Sequence, residues 1–169
     1  MSNTENLNQK EAIDKLKSLV DDIMVCLFCT NLKTDDGSTC RPMSAIHVCD
    51  QGNIWFFSEK NSEKNNAIST DKNVQLFFSH PDKGSYLVVN GEAEIILDKT
   101  KIDELWEPIN KIWFKDGKDD TTISLIKVKT TTAYYWDTDG NRMINILKMI
   151  GSVITGTNLV TGNKGELNI

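Results

Sequence analysis

The chain has 169 residues, 39% hydrophobic and 25% charged, so it is long enough to bury the core of one domain without disulfides or metals. Its net charge is −5, and no basic run could follow a nucleic-acid backbone or an anionic membrane. The polar N-terminus lacks a signal-peptide pattern and no apolar run is long enough to span a bilayer, so we expect a cytoplasmic protein without nucleic-acid or membrane partners.

The first third of the chain predicts one helix followed by antiparallel strands. Apolar residues recur at helical spacing from Glu11 to Ile23, which indicates an amphipathic helix. The apolar run from Met24 to Leu32 ends in a polar turn and predicts a hairpin with Cys40 to Cys49. A second turn leads into the aromatic segment from Ile54 to Ser58, which predicts a third strand.

The rest of the chain continues this mainly β pattern, with helices between the strands. We expect a short helix from Asn61 to Ile68, strands at Val74 to Ser79 and Ser85 to Leu97, a helix from Asp98 to Phe114 bent near Pro108, strands at Thr122 to Lys129 and Ala133 to Trp136, and a last helix from Ile144 to Ile154.

Strands linked by hairpins, with flanking helices, predict an antiparallel barrel rather than a doubly wound parallel sheet. No internal repeat or second domain is evident, so residues 1–169 form one predicted domain. We expect flexible ends at residues 1–8 and in the Gly- and Asn-rich tail, residues 157–169.

The sequence lacks the characteristic motifs of several enzyme classes. The chain contains no Gly-x-Gly-x-x-Gly, phosphate-binding Gly-Lys-Ser/Thr loop, His-Glu-x-x-His or Gly-x-Ser-x-Gly. Cys26 and Cys29 have Cys-x-x-Cys spacing, but neighbouring positions on a strand alternate between faces, so we expect buried, reduced thiols and no metal site. His47 and His80 have no partner that would make either a base, and we expect both to be structural.

Arg41 is the most informative charged residue, because only two of the 19 basic residues are arginines and this one lies within a predicted strand. Its planar guanidinium suits a phosphate, although pairing with a surface carboxylate is an equal alternative. Ser62 and Lys64 begin the short helix, where backbone N–H groups, a hydroxyl and an ammonium could bind one anion or form an ordinary N-cap. Beside an aromatic strand ending in Ser58, the combination suggests a site for flavin mononucleotide.

At these residues the chain resembles the pyridoxamine 5′-phosphate oxidase-like flavin-binding split barrels, and within them the general stress protein 26 branch. The likeness extends from the first helix to Trp136. The matching segments are Arg41-Pro-Met-Ser-Ala45, Ile54-Trp-Phe-Phe-Ser58, Ser62-Glu-Lys64, Tyr86-Leu-Val-Val-Asn-Gly-Glu-Ala93, Trp113-Phe-Lys-Asp-Gly117 and Tyr135-Trp-Asp137.

The resemblance implies a split β-barrel that binds FMN, or alternatively FAD, at the two-fold interface of a homodimer. It implies that Arg41, Ser62 and Lys64 hold the flavin phosphate. It further implies that the ring and ribityl chain are lined by Pro42, Met43, Ser44, Phe57 and Ser58, and that Trp113, Phe114 and Trp136 close the pocket from the partner. The alternative for these tryptophans is core or interface packing.

Three functions fit this pattern. The first is a flavin-dependent oxidoreductase acting on an unidentified small molecule, in which no side chain needs to be an acid, base or nucleophile. The second is a stress-response protein that binds flavin without catalysis, and the third is a barrel that binds another planar cofactor, such as haem or a deazaflavin, or none. A pyridoxamine phosphate oxidase is not expected, because Asp137-Thr-Asp-Gly-Asn-Arg142 replaces the Arg-x-His motif of those enzymes.

Overall fold

The computed structural model describes residues 3–4, 7–33, 37–137 and 163–168. No helix in these ranges has both the length and the apolar character needed to cross a membrane. The helices are α1 (Gln9–Ile23), α2 (Glu63–Thr70) and α3 (Lys99–Leu105), followed by 3-10 helices at Pro108–Ile112 and Gly117–Asp119. The strands are β1 (Asn3–Thr4), β2 (Leu7–Asn8), β3 (Val25–Thr30), β4 (Thr39–Ser44), β5 (His47–Val48), β6 (Asn53–Glu59), β7 (Asn73–His80), β8 (Ser85–Ile96), β9 (Ile123–Asp137) and β10 (Asn163–Asn168).

All of these strands belong to one curled sheet, whose main path has the order β1-β10-β9-β8-β7-β3-β4. Off this path, β2 pairs with β10, β6 pairs with β9, and β5 pairs with β6. Strand β9 pairs with β8 along most of its length, with β6 through its first half and with β10 through its last residues. The pairs are antiparallel, except that β1 and β2 run parallel to β10. The arrangement is the predicted antiparallel split barrel, and β4 is one of the terminal strands among the described residues.

Helix α1 covers the main core of the barrel. Its buried face consists of Ala12, Leu16, Leu19 and Val20, at the spacing that the sequence predicted. These side chains share one apolar cluster with inward-facing strand residues such as Phe28, whose ring lies edge-on to Phe56. A second, smaller cluster around Trp55 and Leu125 lies beneath α3.

The predicted strand from Cys40 to Cys49 is two strands in the structure. Strand β4 pairs with β3, and β5 pairs with β6. Between them the Ala45 N–H donates to the carbonyl of Met24 and the Ile46 N–H donates to the carbonyl of Trp55. The break is therefore the point at which the chain leaves β3 for β6, and it opens the barrel there.

The predicted helix from Asp98 to Phe114 is also divided. Helix α3 ends at Leu105, and a 3-10 helix begins at Pro108, because proline has no N–H and fits only the first turn of a helix. The two strands expected between Thr122 and Trp136 are joined into β9, in which the register shifts opposite Asn90 and Gly91.

Both ends that we expected to be flexible contain paired strands. In the tail, β10 pairs with the edge of β9 from Ala133 to Asp137, so that this edge gains backbone hydrogen bonds. Strands β1 and β2 then pair with β10. The helix predicted from Ile144 to Ile154 lies outside the described residues.

The expectation that all cysteines are reduced is wrong for Cys29 and Cys40, which form a disulfide. The two residues are directly opposite each other in the β3–β4 pair, where side chains point to the same face. The side chain of Cys26 points to the opposite face, as expected, and its thiol is free and buried. Cys49 is also free.

We predict that Gly91→Ala lowers the free energy of unfolding by about 1–3 kcal/mol, the usual cost of overpacking. A Cβ atom at this position would lie 2.5 Å from the carbonyl oxygen of Lys129 and 2.8 Å from Cγ1 of Val128, so that β8 and β9 would have to separate. Urea denaturation measures the change. The exposed Glu92→Ala variant of the same strand is the control and should change stability by less than about 0.5 kcal/mol; equal effects of the two substitutions would contradict the prediction.

Candidate functional site

A cavity of about 690 Å³ lies at the open corner of the barrel. It is bounded by the β4–β5 corner, the end of β6, the start of α2 and the 3-10 segment after α3. This volume is in the range of small-molecule and cofactor sites. Its lining residues are Val20, Asp21, Met24, Val25, Pro42, Met43, Ser44, Ala45, Ile46, Phe57, Ser58, Glu59, Lys64, Leu105, Glu107, Ile109, Asn110, Trp113 and Phe114.

A buried polar network fixes the start of α2 against β6 and β9. The Ser58 hydroxyl donates to Oδ1 of Asn65 at 2.7 Å, and Nδ2 of Asn65 donates to the Ser124 hydroxyl at 3.0 Å. Ser62 is the N-cap residue, and its hydroxyl accepts from the Asn65 N–H at 3.4 Å. Because all three serines and Asn65 are hydrogen-bonded, the first turn of α2 is held at one end of the cavity.

Two cations lie near each other at this end. Lys64 is half-buried, and the pKa of its ammonium is lowered from the ordinary 10.5, first by burial and then by the positive charge of Arg41. Nη1 of Arg41 donates to the Thr30 hydroxyl at 3.3 Å. Within the described parts of the chain, neither cation forms an ion pair. Glu59 favours the charged form of Lys64, but this effect is weaker than that of Arg41.

The other end of the cavity is aromatic. The Phe57 ring lies 5.5 Å from that of Trp106 and 6.0 Å from that of Phe114, both in edge-on geometry, which is favourable for aromatic pairs. The Asn110 carbonyl accepts from the N–H groups of Trp113 and Phe114, each at 3.1 Å. The 3-10 segment therefore positions both aromatic residues against the end of β6.

Most of the site residues that the sequence predicted line this cavity. Pro42, Met43, Ser44, Phe57, Ser58, Lys64, Trp113 and Phe114 are among its lining residues. Arg41 and Ser62 do not line the cavity themselves but lie next to residues that do: Arg41 is near Lys64, and the Ser62 hydroxyl is 3.4 Å from that of Ser58. Trp113 and Phe114 line the cavity of their own chain, whereas the resemblance implied that they close it from the partner. Trp136 is on β9, paired with Tyr86, and is not among the described residues that line the cavity.

Asn110 is a lining residue that sequence reasoning missed. It is 2% exposed, and its amide nitrogen has no hydrogen-bond partner in the described parts of the chain. A buried amide without a partner is costly unless a ligand satisfies it. The nearest sequence signal is Pro108, which marks the start of the 3-10 helix but does not indicate that Asn110 is buried.

Comparison with known proteins places this architecture in one family. The family model described as "Pyridoxamine 5′-phosphate oxidase like" matches residues 11–159. Protein bli-3 of Neurospora crassa is 24% identical over 164 residues, which cover 89% of this chain and 78% of that protein.

Solved structures with the same fold include proteins described as general stress proteins. General stress protein 26 from Jannaschia sp. CCS1 superimposes with a TM-score of 0.74 at 20% identity, covering 95% of this chain and 96% of that one. The general stress FMN/FAD binding protein from Xanthomonas citri superimposes with a TM-score of 0.66 at 23% identity, covering 78% and 92%, respectively. Because the family model spans most of the chain and the split-barrel neighbours share its fold, the chain belongs to the pyridoxamine 5′-phosphate oxidase-like family.

Proposed function

We propose that this protein binds FMN and uses it for electron transfer with a small molecule. The observation that carries the proposal is the pair of cations, Arg41 and Lys64, at the polar end of a cavity whose other end is aromatic. Two like charges close together, one of them half-buried, are unfavourable until an anion joins them. A phosphate group attached to a flat apolar ring satisfies both ends of the cavity.

The chain's own residues supply the phosphate contacts in this proposal. Arg41 offers a planar set of N–H donors that suits two phosphate oxygens, and Lys64 adds a point charge. Ser62 and the first N–H groups of α2 add hydrogen bonds at the positive end of the helix dipole. The Ser58–Asn65–Ser124 network holds α2 in place, so these donors are positioned before the ligand arrives.

The corner between β4 and β5 and the end of β6 would hold the ring. Pro42, Met43 and Ser44 approach from the corner, and Phe57 from β6. Phe114 packs against Phe57 and limits the access of water. The buried amide of Asn110 is available to a polar atom of the ligand. A bound flavin would supply hydride or single-electron transfer, and the protein would orient it and tune it by hydrogen bonds.

The relatives support a flavin, and the site favours FMN over FAD. The Xanthomonas citri protein is described as binding FMN or FAD. In this chain the cations form a single cluster, which matches the one phosphate of FMN. Asp137 is bonded to Lys15 at 2.5 Å and to Ser85 at 2.9 Å, so it has a structural role where the vitamin B6 oxidases begin their substrate motif. We therefore propose a cytoplasmic flavoprotein with a substrate other than pyridoxamine phosphate.

A homodimer is part of the proposal, because the outer face of the sheet exposes an apolar row. Leu27, Phe77, Val88 and Tyr134 are adjacent in the register of β3, β7, β8 and β9, and three of them are exposed large side chains. Trp136 and Tyr86 form a neighbouring exposed pair. A second copy would cover this face and could bring Trp136 toward the partner's flavin.

We expect the purified protein to bind FMN and Arg41→Ala to weaken that binding by about 1.5–3 kcal/mol, the worth of a charge-assisted hydrogen bond. Quenching of flavin fluorescence measures the dissociation constant. Lys118→Ala is the control: it removes an exposed cation, changes the net charge by the same amount as Arg41→Ala, and should leave FMN binding unchanged. A wild-type protein that does not bind FMN would overturn the proposed function, and unchanged binding by Arg41→Ala would remove Arg41 from the site.

Electron transfer is tested separately by adding NADH or NADPH to the FMN-loaded protein without oxygen. Bleaching of the flavin absorption at a rate above that of free FMN supports the redox function. If no donor bleaches the bound flavin, the non-catalytic alternative, binding of flavin in a stress response, replaces it.

The pKa of Lys64 should rise when Arg41 is replaced by glutamine. That substitution removes the repulsion from a neighbouring cation, whereas burial continues to keep the pKa below 10.5. NMR titration of ¹³C-labelled lysine side chains measures the shift. Lys17, whose pKa is raised by its hydrogen bond to Asp50, should not respond. An unchanged pKa of Lys64 would show that the two cations are not neighbours.

The dimer is tested with Phe77→Lys, which places a charge in the centre of the apolar row. Sedimentation equilibrium measures the mass. We expect the wild type to have twice the 19.0 kDa of one chain and the variant to shift toward the mass of the monomer, because a buried, unpaired charge is costly. Gln51→Lys adds the same charge on an exposed turn and should leave the mass unchanged. A monomeric wild type at micromolar concentration would contradict the dimer.

A further inference from the structure

Strand β4 carries Arg41 and the corner residues, yet it is a terminal strand of the main sheet path. Among the described strands it pairs with β3 alone. Pro42 lies in its centre, opposite Leu27 in a pair that is not hydrogen-bonded, so its missing N–H leaves the ladder with β3 intact and faces the outer edge of the strand. The strand that bears the phosphate-binding arginine is thus held by fewer backbone hydrogen bonds than an inner strand.

The Cys29–Cys40 disulfide is the covalent link between these two strands. In the register, the Cys29–Cys40 pair lies immediately beside the pair of Phe28 with Arg41. On its other side is Thr30, which donates to the carbonyl of Thr39 at 3.4 Å and accepts from Arg41. The link therefore adjoins both the arginine and its hydrogen-bond partner.

Of the two disulfide cysteines, Cys40 is the one that an attacking thiol can approach. Cys29 is 1% exposed, whereas Cys40 is exposed on the terminal strand. Cys26 does not compete for the link, because it lies on the opposite face of β3, and burial raises the pKa of its thiol to about 12. An outside dithiol can thus reach Cys40, and Cys29 is the leaving group.

We propose that Cys29–Cys40 is a reversible thiol–disulfide site that sets the affinity of the neighbouring flavin-phosphate site, with a dithiol reductant as its reaction partner. One thiolate of the dithiol attacks the Cys40 sulfur, the Cys29–Cys40 bond breaks, and Cys29 leaves as a thiolate that takes up a proton. The second thiol of the reductant then displaces Cys40. In total two electrons pass from the dithiol to the protein, giving two protein thiols and one disulfide of the reductant.

The link acts on affinity by positioning Arg41. With the disulfide closed, the end of β4 is fixed and Arg41 is placed before the ligand binds. With the disulfide open, β4 is held by its ladder with β3 alone, and the entropy lost in ordering Arg41 weakens FMN binding. Coupling between two sites is reciprocal, so bound FMN must in turn make the disulfide harder to reduce by the same factor. Disulfides of cytosolic proteins are usually transient and redox-sensing, which fits the proposed location.

This inference rests on the proposed FMN site, and its test uses FMN as the probe. FMN is titrated into the wild-type chain before and after treatment with dithiothreitol under nitrogen, with free thiols counted in each state. We expect two free thiols and tighter binding in the oxidised protein, and about fivefold to tenfold weaker binding after reduction. A tenfold factor also appears as a shift of about 30 mV in the disulfide potential when FMN is present, to more negative values.

Three variants separate the proposed link from general effects of reduction. Cys40→Ser should bind FMN like the reduced wild type and should not respond to dithiothreitol. Cys49→Ser removes a free thiol and should keep the full response. Arg41→Ala should lose most of the response, because the disulfide acts through that residue.

The outcomes distinguish this inference from the proposed function. If neither redox state binds FMN, both proposals are overturned. If the two states bind FMN equally, or the oxidised protein has four free thiols, only the redox control is overturned. The wild-type comparison decides this point even if Cys40→Ser does not fold.

Discussion

The pairing of β9 with three other strands is the constraint on which the rest of the structure depends. Its first half joins β6 to β8, and its last residues join β10 to β8. The right-handed twist accumulates along β9, which is 15 residues long, so the sheet curls rather than extending flat. Gly91 permits the close approach that this requires, since any side chain there would meet the backbone of Lys129. The curl leaves an open corner, and the cavity is at that corner.

The corner is useful because it combines opposite environments within one cavity. On one side, Arg41 and Lys64 concentrate positive charge at the start of α2. On the other side, Phe57 and Phe114 form an aromatic wall. A chain that leaves one strand for another, as this one does at Ala45 and Ile46, exposes side chains without the regular alternation of a strand. Such a site suits a ligand with an ionic end and a flat apolar end.

The same corner contains a terminal strand of the sheet. Among the described strands, β4 is a terminal one and is held by the β3 ladder along one edge. Inner strands such as β8 have neighbours on both sides. Binding elements are often drawn from less stable parts of a fold, because they must adjust to a ligand. The Cys29–Cys40 disulfide joins β4 to β3 beside Arg41, so its proposed reduction would act on the strand that carries the binding residues.

The sequence by itself determined the local elements and the type of site. Helical spacing identified α1, the Ser62 cap identified α2, and the resemblance identified the split barrel and eight of the residues that line the cavity. These features depend on residues that are close together in the sequence or on short sequence motifs, so they can be recognised without coordinates.

Only the tertiary structure decided which distant residues meet. Strand register placed Cys29 opposite Cys40, which the spacing between them did not reveal. The fold brought Arg41 near Lys64 and put the unpartnered amide of Asn110 into the cavity wall. It also paired the tail with β9 and placed Trp113 in the cavity of its own chain. Each of these facts depends on long-range pairing, in which a shift of one residue would turn a side chain to the other face of the sheet.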